Sequence, residues 1–206
     1  MKNWSGNVTF EANLVVRPTS IEDIKSAVKA ADKVRALGSA HSFNQIAASK
    51  DVLLSFEHFP KEIEIDTATK QVRIAAGVRY GEAAIALNAA GLALPNMGSL
   101  PHITVVGATS TGTHGSGARN KNLSAAIIKI ELINANGEEV TIEGEELHAA
   151  RVGLGALGII HHVTLQAIDA FNVSQTVYRD LHFENWIANF DPVSYTHLTL
   201  PTIYSV

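Results

Sequence analysis

The stretch Arg35-Ala36-Leu37-Gly38-Ser39-Ala40-His41-Ser42-Phe43-Asn44 decides the fold that we predict for this chain. It begins as a short apolar strand, breaks at a glycine, and ends in a histidine among small polar residues. Because Gly38, Ser39 and Ala40 carry little side chain, their backbone can approach a ligand closely. Successive amide N–H groups in such a turn can hold an anion such as a pyrophosphate. The stretch therefore predicts a binding loop at the end of a strand.

The residues around this loop predict a small α/β lobe. A helix capped by Thr19 or Ser20 keeps its apolar residues on one face and separates the first strand from the second. Together these elements form a β-α-β-loop-β unit over residues 13–56, within a first lobe at residues 8–60. The strands are predicted at residues 14–18, 33–37 and 52–56.

The remainder predicts a second and larger lobe over residues 61–182, with a mixed β-sheet and helices. Two hairpins are indicated, and the clearer one turns through Asn136-Gly137. A long stretch over residues 94–122 shows little regular structure and is rich in Gly, Ser and Thr, which favours a functional loop. The fold class is therefore α+β with two lobes. The other elements are predicted at residues 62–66, 71–75, 81–90, 126–134, 139–142, 145–152, 159–168 and 173–181.

The composition excludes several classes of function. The chain has 206 residues, 46% of them hydrophobic, and a formal net charge of -4, which is typical of a globular domain. No basic run indicates a nucleic-acid surface, and the absence of cysteine rules out disulfides and thiolate metal sites. No metal site is predicted, and no apolar run reaches the roughly 18 residues of a membrane span. The N-terminus lacks the apolar core of a signal peptide, so we expect a cytoplasmic protein of undefined oligomeric state.

His41 is the candidate reactive residue of the first loop. A neutral imidazole can bond to the 8α methyl carbon of an oxidised flavin, and the usual histidine pKa of about 6.5 permits a neutral ring. The residues alone leave open a second interpretation, in which His41 only forms a hydrogen bond across the loop.

Residues 107–115 form a second candidate loop, Gly-Ala-Thr-Ser-Thr-Gly-Thr-His-Gly. Small residues that alternate with hydroxyls suit a diphosphate and a ribityl chain without a lysine. The sequence lacks the lysine of a P-loop and the strand-associated glycine pattern of a Rossmann fold. A flexible surface loop is the alternative, and His114 fits either a flavin contact or a simple polar contact.

A third candidate is the turn over residues 96–102, Asn-Met-Gly-Ser-Leu-Pro-His. Gly98 leaves room for dioxygen beside a flavin, and Ser99 can contact the flavin or a substrate hydroxyl. The alternative is a turn that Pro95 and Pro101 merely stiffen.

His161 and His162 are neighbours in a predicted strand. Adjacent side chains of a strand point to opposite faces, so this pair is expected to be structural rather than a shared metal site.

Taken together, these motifs resemble the alditol (xylitol) oxidases of the vanillyl-alcohol-oxidase superfamily, whose members carry a PCMH-type FAD-binding domain. The resemblance extends from Asn3 to about Pro192. Several short motifs, each weak alone, are specific in combination. They occupy residues 3–7, 37–44, 77–82, 91–103, 111–117 and 154–159.

The resemblance implies that FAD is bound covalently through an 8α-histidyl bond at His41. It also implies that Ser99 contacts both the flavin and the substrate, as the one catalytic residue that can be assigned. The remaining implied FAD contacts are Ala36, Leu37, Gly38, Ser39, Ala40, Ser42, Thr104, Gly107, Ser110, Thr111, Gly112, Thr113, His114, Gly158 and Ile160.

The implied activity is oxidation of the terminal carbinol of an alditol such as xylitol or sorbitol, with dioxygen as acceptor and hydrogen peroxide as product. Sugar-1,4-lactone oxidases, which act on arabinonolactone or gulonolactone, are the first alternative, and an FAD-binding module without turnover is the second. The resemblance also implies a C-terminal substrate domain, of which residues 183–192 would be the start, so we expect this chain to turn over poorly. Residues 193–206 break the preceding pattern and are expected to be a non-native tail.

Overall fold

The computed structural model describes residues 1–115, 120–174, 180 and 182–188. Most of the strand predicted at 173–181, and residues 189–206, lie outside this range, so the expectations for them stay predictions. No helix within the described range is long and apolar enough to cross a membrane. In chain order the elements are β1 (Leu14–Val16), α1 (Ile21–Ala30), β2 (Val34–Leu37), β3 (Val52–Ser55), β4 (Ile63–Asp66), β5 (Gln71–Ala75), α2 (Tyr80–Ala89), β6 (Leu92–Ala93), α3 (Val105–Thr109), β7 (Ile127–Ile133), β8 (Glu139–Glu143), α4 (Leu147–Ala150), β9 (Ile159–Gln166), β10 (Ile168–Asp169) and α5 (Phe183–Ala188).

The first sheet has three parallel strands in the order β1-β3-β2. All four residues of the central strand β3 are buried, as expected for a parallel strand that is covered on both faces. Leu54 packs into the main core, whereas Leu53 packs into a second cluster with Val8 and Phe10. The small sheet therefore lies between the main core and the N-terminal segment, and the predicted β-α-β-loop-β unit is confirmed.

Helix α1 begins where the sequence predicts. The Ser20 hydroxyl accepts the Asp23 amide at 3.1 Å, and the Asp23 carboxylate accepts the Ser20 amide at 3.1 Å. This reciprocal pair satisfies two amides that have no partner inside the helix. The buried Ile24 side chain then anchors the helix in the main core.

The larger sheet has five strands in the order β4-β5-β9-β7-β8. Each of its four pairings is antiparallel, rather than mixed as the sequence predicts. Both predicted hairpins form, as β4–β5 and β7–β8. The predicted strand over residues 159–168 divides into β9 and β10, and β10 pairs with β6 in a separate two-stranded sheet.

The prediction for His161 and His162 was wrong in one respect. The pairing between β7 and β9 shifts register between Glu131 and Leu132, which leaves His161 as an extra residue opposite β7. A β-bulge of this kind redirects side chains, and the two imidazole Nδ1 atoms lie 2.7 Å apart instead of on opposite faces. Both histidines are buried. Within the described residues no group of three or more side chains could hold a metal ion.

The stretch over residues 94–122 is more regular than predicted, because it contains α3. The segment before α3 is held by backbone hydrogen bonds to residues 78–81, including Val105 N–H to Val78 O at 3.0 Å and Tyr80 N–H to Ile103 O at 3.0 Å. These bonds fix the start of the second candidate loop against α2.

One hydrophobic core joins the two sheets. Ile24 and Leu54 from the first sheet layer belong to the same cluster as Ile74 and Leu165 from the larger sheet. The bounds predicted for two lobes, 8–60 and 61–182, stay a prediction.

The buried His161 predicts a loss of stability in acid. Burial first, and then the neighbouring His162, lowers the pKa of His161 from 6.5 to about 4. Between these pH values the unfolded chain binds a proton at this position and the folded chain does not. Stability is therefore fully present above pH 6.5 and falls towards pH 4, by up to about 3 kcal/mol from this group. Urea denaturation at a series of pH values measures the slope of the free energy of unfolding against pH.

His161→Gln should make this slope shallower between pH 6.5 and 4. His58→Gln is the matched control, because His58 is exposed and its removal should leave the slope unchanged. An equal slope in wild type and His161→Gln would contradict the prediction.

Candidate functional site

The first candidate loop begins where β2 meets a neighbouring threonine. A Cβ atom at Gly38 would lie 2.3 Å from Thr104 Oγ1, so only glycine allows this approach. Gly107 approaches the same hydroxyl, and a Cβ atom added at Gly107 would lie 2.6 Å from Thr104 Oγ1. Thr104 therefore lies between the two loops that the sequence selects, and its contacts bring them together.

Ser39 connects this junction to the candidate histidine. Its Oγ accepts the Thr104 amide N–H at 3.0 Å and lies 3.0 Å from His41 Nδ1. The next residue, Ala40, takes a left-handed conformation at φ 57°, which turns the chain sharply before His41. The position of the imidazole is thus set by the contact between the two loops.

The surroundings of His41 favour a neutral imidazole. Its pKa is lowered from the usual 6.5 by partial burial first, and then by His102 and the positive charge of Arg79, while the hydrogen bond with Ser39 acts in the opposite direction. The Nε2 atom is buried and has no hydrogen-bond partner among the described residues. A buried polar atom without a partner is costly, and a ligand that engages it would remove the cost.

A cavity of about 670 Å³ opens beside these residues. Its volume falls within the range of small-molecule sites, about 300–1,000 Å³. Residues from the first loop, the second loop and the start of β9 surround it. The predicted site residues in its lining are Ala36, Leu37, Gly38, Ser39, Ala40, His41, Ser42, Thr104, Gly107, Ser110, Thr111, Gly112, Thr113, Gly158 and Ile160.

The amide N–H groups of residues 39–42 donate to no acceptor in the described part of the chain. Successive amides of this kind can bind an anion, as the sequence suggests for this turn. The loop therefore offers a reactive imidazole and unused backbone donors along one wall of the cavity.

The structure leaves two predicted residues outside the lining, Ser99 and His114. Ser99 is exposed in the turn before Pro101, and His114 is exposed with its Nδ1 2.8 Å from Gly115 O. Their roles stay predictions.

A third wall of the cavity includes Arg35, Leu154 and Gly155, which were not among the predicted site residues. Arg35 Nη1 donates to Leu154 O at 3.1 Å and to Gly155 O at 3.2 Å, while the Leu154 amide donates to Ser110 O at 2.9 Å. All four residues line the cavity. A charged residue inside an apolar strand was a usable signal for Arg35. Phe10, Phe56 and Ala76 also line it, but they carry no local signal because tertiary packing alone places them there.

Comparison with known proteins identifies the family. A family model described as an FAD binding domain matches residues 12–143, which is more than half of the chain. The chain belongs to the FAD-binding domain family. The resemblance that the motifs indicate is therefore confirmed, and so is FAD as the cofactor at the level of the family.

Two relatives of this FAD-binding domain show its sequence similarity to known enzymes. An alditol oxidase from Streptomyces sp. is 44% identical over 184 residues, covering 87% of this chain and 44% of the relative. An L-gulono-1,4-lactone dehydrogenase from Mycobacterium tuberculosis is 38% identical over 176 residues, covering 83% of this chain and 41% of the relative. The chain thus spans less than half the length of each.

A solved structure supports the fold assignment. The crystal structure of 6-hydroxy-D-nicotine oxidase from Arthrobacter nicotinovorans matches with a TM-score of 0.70 and 21% identity. The match covers 82% of this chain and 39% of that one. At this identity the likeness concerns the fold alone, and it agrees with the predicted α+β architecture.

The residues of the site fit FAD. The close approach of Gly38 and Gly107 to Thr104 shapes the wall of the cavity, and the free amides of residues 39–42 suit a diphosphate. The unpartnered Nε2 of His41 can contact the ring system of the flavin. Among the described residues no lysine lines the cavity, as the composition of the second loop suggests.

The glycine junction predicts a pair of contrasting variants. Gly38→Ala should lower the free energy of unfolding by about 1–3 kcal/mol, because its Cβ would overlap Thr104 Oγ1. Gly112→Ala, at the same cavity, should change it by less than about 0.5 kcal/mol, since nothing lies within 4 Å of an added Cβ. Urea denaturation of the FAD-free protein measures both, and equal effects would contradict the prediction.

Proposed function

We propose that this chain is the FAD-binding part of an oxidase of the alditol and sugar-lactone oxidase group, with FAD bonded covalently to His41. Residues 8–60 and 61–182 would act as the two lobes between which FAD lies. The diphosphate would lie against residues 38–42 and 107–114. The similarity to an alditol oxidase and to a lactone dehydrogenase supports the group.

The buried, unpartnered Nε2 of His41 at the wall of the 670 Å³ cavity carries the proposal. The Nδ1 atom contacts Ser39 Oγ, which leaves Nε2 as the ring nitrogen without a hydrogen-bond partner among the described residues. The buried Nε2 atoms of His102, His161 and His162 also have no hydrogen-bond partner within the described ranges. These three residues do not line the cavity, whereas His41 does. The lowered pKa also keeps the ring unprotonated near neutral pH, as a nucleophile requires.

The chain's own residues would position the cofactor and control its reactivity. When bound, FAD would accept a hydride from the substrate carbinol and pass two electrons to dioxygen, giving hydrogen peroxide. For covalent attachment, His41 would supply the imidazole nitrogen that bonds to the 8α carbon. The bond would replace one methyl C–H and the imidazole N–H, and the two protons and two electrons released would pass to dioxygen, giving hydrogen peroxide. Ser39 would hold Nδ1, and the amides of residues 39–42 would hold the diphosphate.

The proposed substrate is the terminal CH–OH of an alditol such as xylitol or sorbitol. The 44% identity to an alditol oxidase favours it, and Ser99 is the proposed contact to substrate and flavin. A sugar-1,4-lactone is the second candidate, because the lactone dehydrogenase is 38% identical over a similar span.

The covalent bond predicts a change in mass. Purified with FAD, the chain should be yellow, gain the mass of one FAD, and keep flavin fluorescence on a denaturing gel. His41→Ala should lose the added mass, because it removes the nucleophile. His148→Ala is the matched control, since His148 is exposed on α4 and should have no effect. An unmodified mass in wild type would overturn the covalent assignment.

The substrate is tested by anaerobic bleaching of the bound flavin in a single turnover. Xylitol should bleach the flavin faster than L-gulono-1,4-lactone, because the alditol relative is the more similar of the two. The reverse order would favour the lactone oxidase. A flavin that neither compound reduces would identify this chain as an FAD-binding module without turnover.

A further inference from the structure

The N-terminal segment, residues 1–10, folds back over the loop that carries His41. The Trp4 amide donates to Ala40 O at 2.8 Å, and Asn3 Nδ2 donates to Ser42 O at 2.9 Å. These two bonds hold the backbone carbonyls of the residues directly before and directly after the histidine. The segment is therefore bound to the site rather than simply adjacent to it.

Asn3 anchors this segment. It is buried, with its Oδ1 accepting the Val8 amide at 3.0 Å and its Nδ2 also donating to Asn7 Oδ1 at 2.8 Å. A buried amide with all these bonds holds one conformation. The position of the following residue, Trp4, is fixed as a result.

The Trp4 indole stacks on His41. The ring centroids are 5.5 Å apart with an interplanar angle of 19°. The His102 ring lies 4.8 Å from His41 and 6.4 Å from Trp4, so the three rings form a triangle. Trp4 is 60% exposed, and hence it contributes little to the core of the protein. Its inner face covers the histidine while its outer face meets solvent.

The hydrogen bond to Ser39 does not fix the imidazole by itself. One contact at Nδ1 holds that atom but leaves the ring able to tilt about the contact. A parallel aromatic ring removes this freedom, because stacked pairs have a preferred geometry.

We propose that Trp4 is a positioning residue for His41, holding the imidazole in the orientation that covalent attachment of FAD requires. The inference rests on the covalent bond proposed above. It assigns a role to the N-terminal motif Asn3-Trp4-Ser5-Gly6-Asn7, which the proposed function does not otherwise use.

The charged and titratable groups around His41 act on its pKa and not on its orientation. Burial lowers the pKa of His41 most, His102 and Arg79 lower it further, and the hydrogen bond with Ser39 raises it. Trp4 is not among these causes, so the role that its stacking supports is orientation of the ring.

Rates of covalent attachment test the proposal. FAD is added to the FAD-free chain between pH 5.5 and 8, and flavin fluorescence on denaturing gels follows the bond. Trp4→Ala should slow attachment about three- to tenfold at each pH, the range that loss of one aromatic pair produces. Trp4→Phe should restore most of the rate, because phenylalanine can still stack.

Phe171→Ala is the matched control, as it removes an exposed aromatic ring that lies outside the cavity lining. Its attachment rate should equal that of wild type. If Trp4→Ala does not fold, as judged by circular dichroism, Trp4→Leu replaces it, since leucine keeps apolar volume without stacking. An unchanged attachment rate in the folded variant would overturn the proposal.

A second measurement separates this proposal from the covalent bond itself. NMR of the FAD-free chain, with the His41 ring signals assigned by their absence in His41→Ala, reports the orientation of the His41 ring through its stacking on Trp4. Trp4→Ala should shift and broaden these signals because the ring becomes free to tilt, and unchanged signals would overturn the role of Trp4. Failure of wild type to attach FAD would overturn the covalent bond, while the NMR spectra would still decide whether Trp4 orients His41.

Discussion

The contact of Thr104 with Gly38 and Gly107 is the constraint on which the site depends. A side chain at either glycine would meet the threonine hydroxyl at 2.6 Å or less, so both loops approach one point only because they lack side chains there. The Thr104 amide then bonds Ser39 Oγ, which in turn contacts His41. A single close approach thus joins the end of the small parallel sheet to the start of α3 and sets the position of the candidate nucleophile.

The electrostatics of the site follow from this packing. Partial burial disfavours a second proton on the ring of His41, and His102 and the charge of Arg79 disfavour it further. The cavity is lined by small residues, hydroxyls and apolar side chains, with Arg35 held to the carbonyls of Leu154 and Gly155. An anionic ligand would therefore be held mainly by backbone amides and hydroxyls, which bind through fixed dipoles rather than through a mobile cation. This arrangement suits a cofactor that remains bound to the protein.

Much of the site could be predicted because its signals are local. Gly38 followed by small residues, and glycines alternating with threonines at 107–115, are patterns that lie within a few residues of one another. Fifteen of the predicted site residues, from Ala36 to Ile160, line one cavity. Ser99 and His114 do not, since each lies on an exposed turn whose orientation depends on neighbouring segments. The bulge at His161 was missed because strand alternation assumes a constant register, which the pairing with β7 interrupts.

The amino-acid sequence by itself determined most of the longer helices and strands, the two glycine loops, and the family to which their motifs belong. Periodicity, caps and turn residues act over a few positions, and they can be recognised without a partner. Only the tertiary structure decided that Trp4 stacks on His41, that Arg35 closes the third wall, and that Phe10 and Phe56 line the cavity. These contacts join segments that are distant along the chain, so their chemistry exists only after one shared core has brought the segments together.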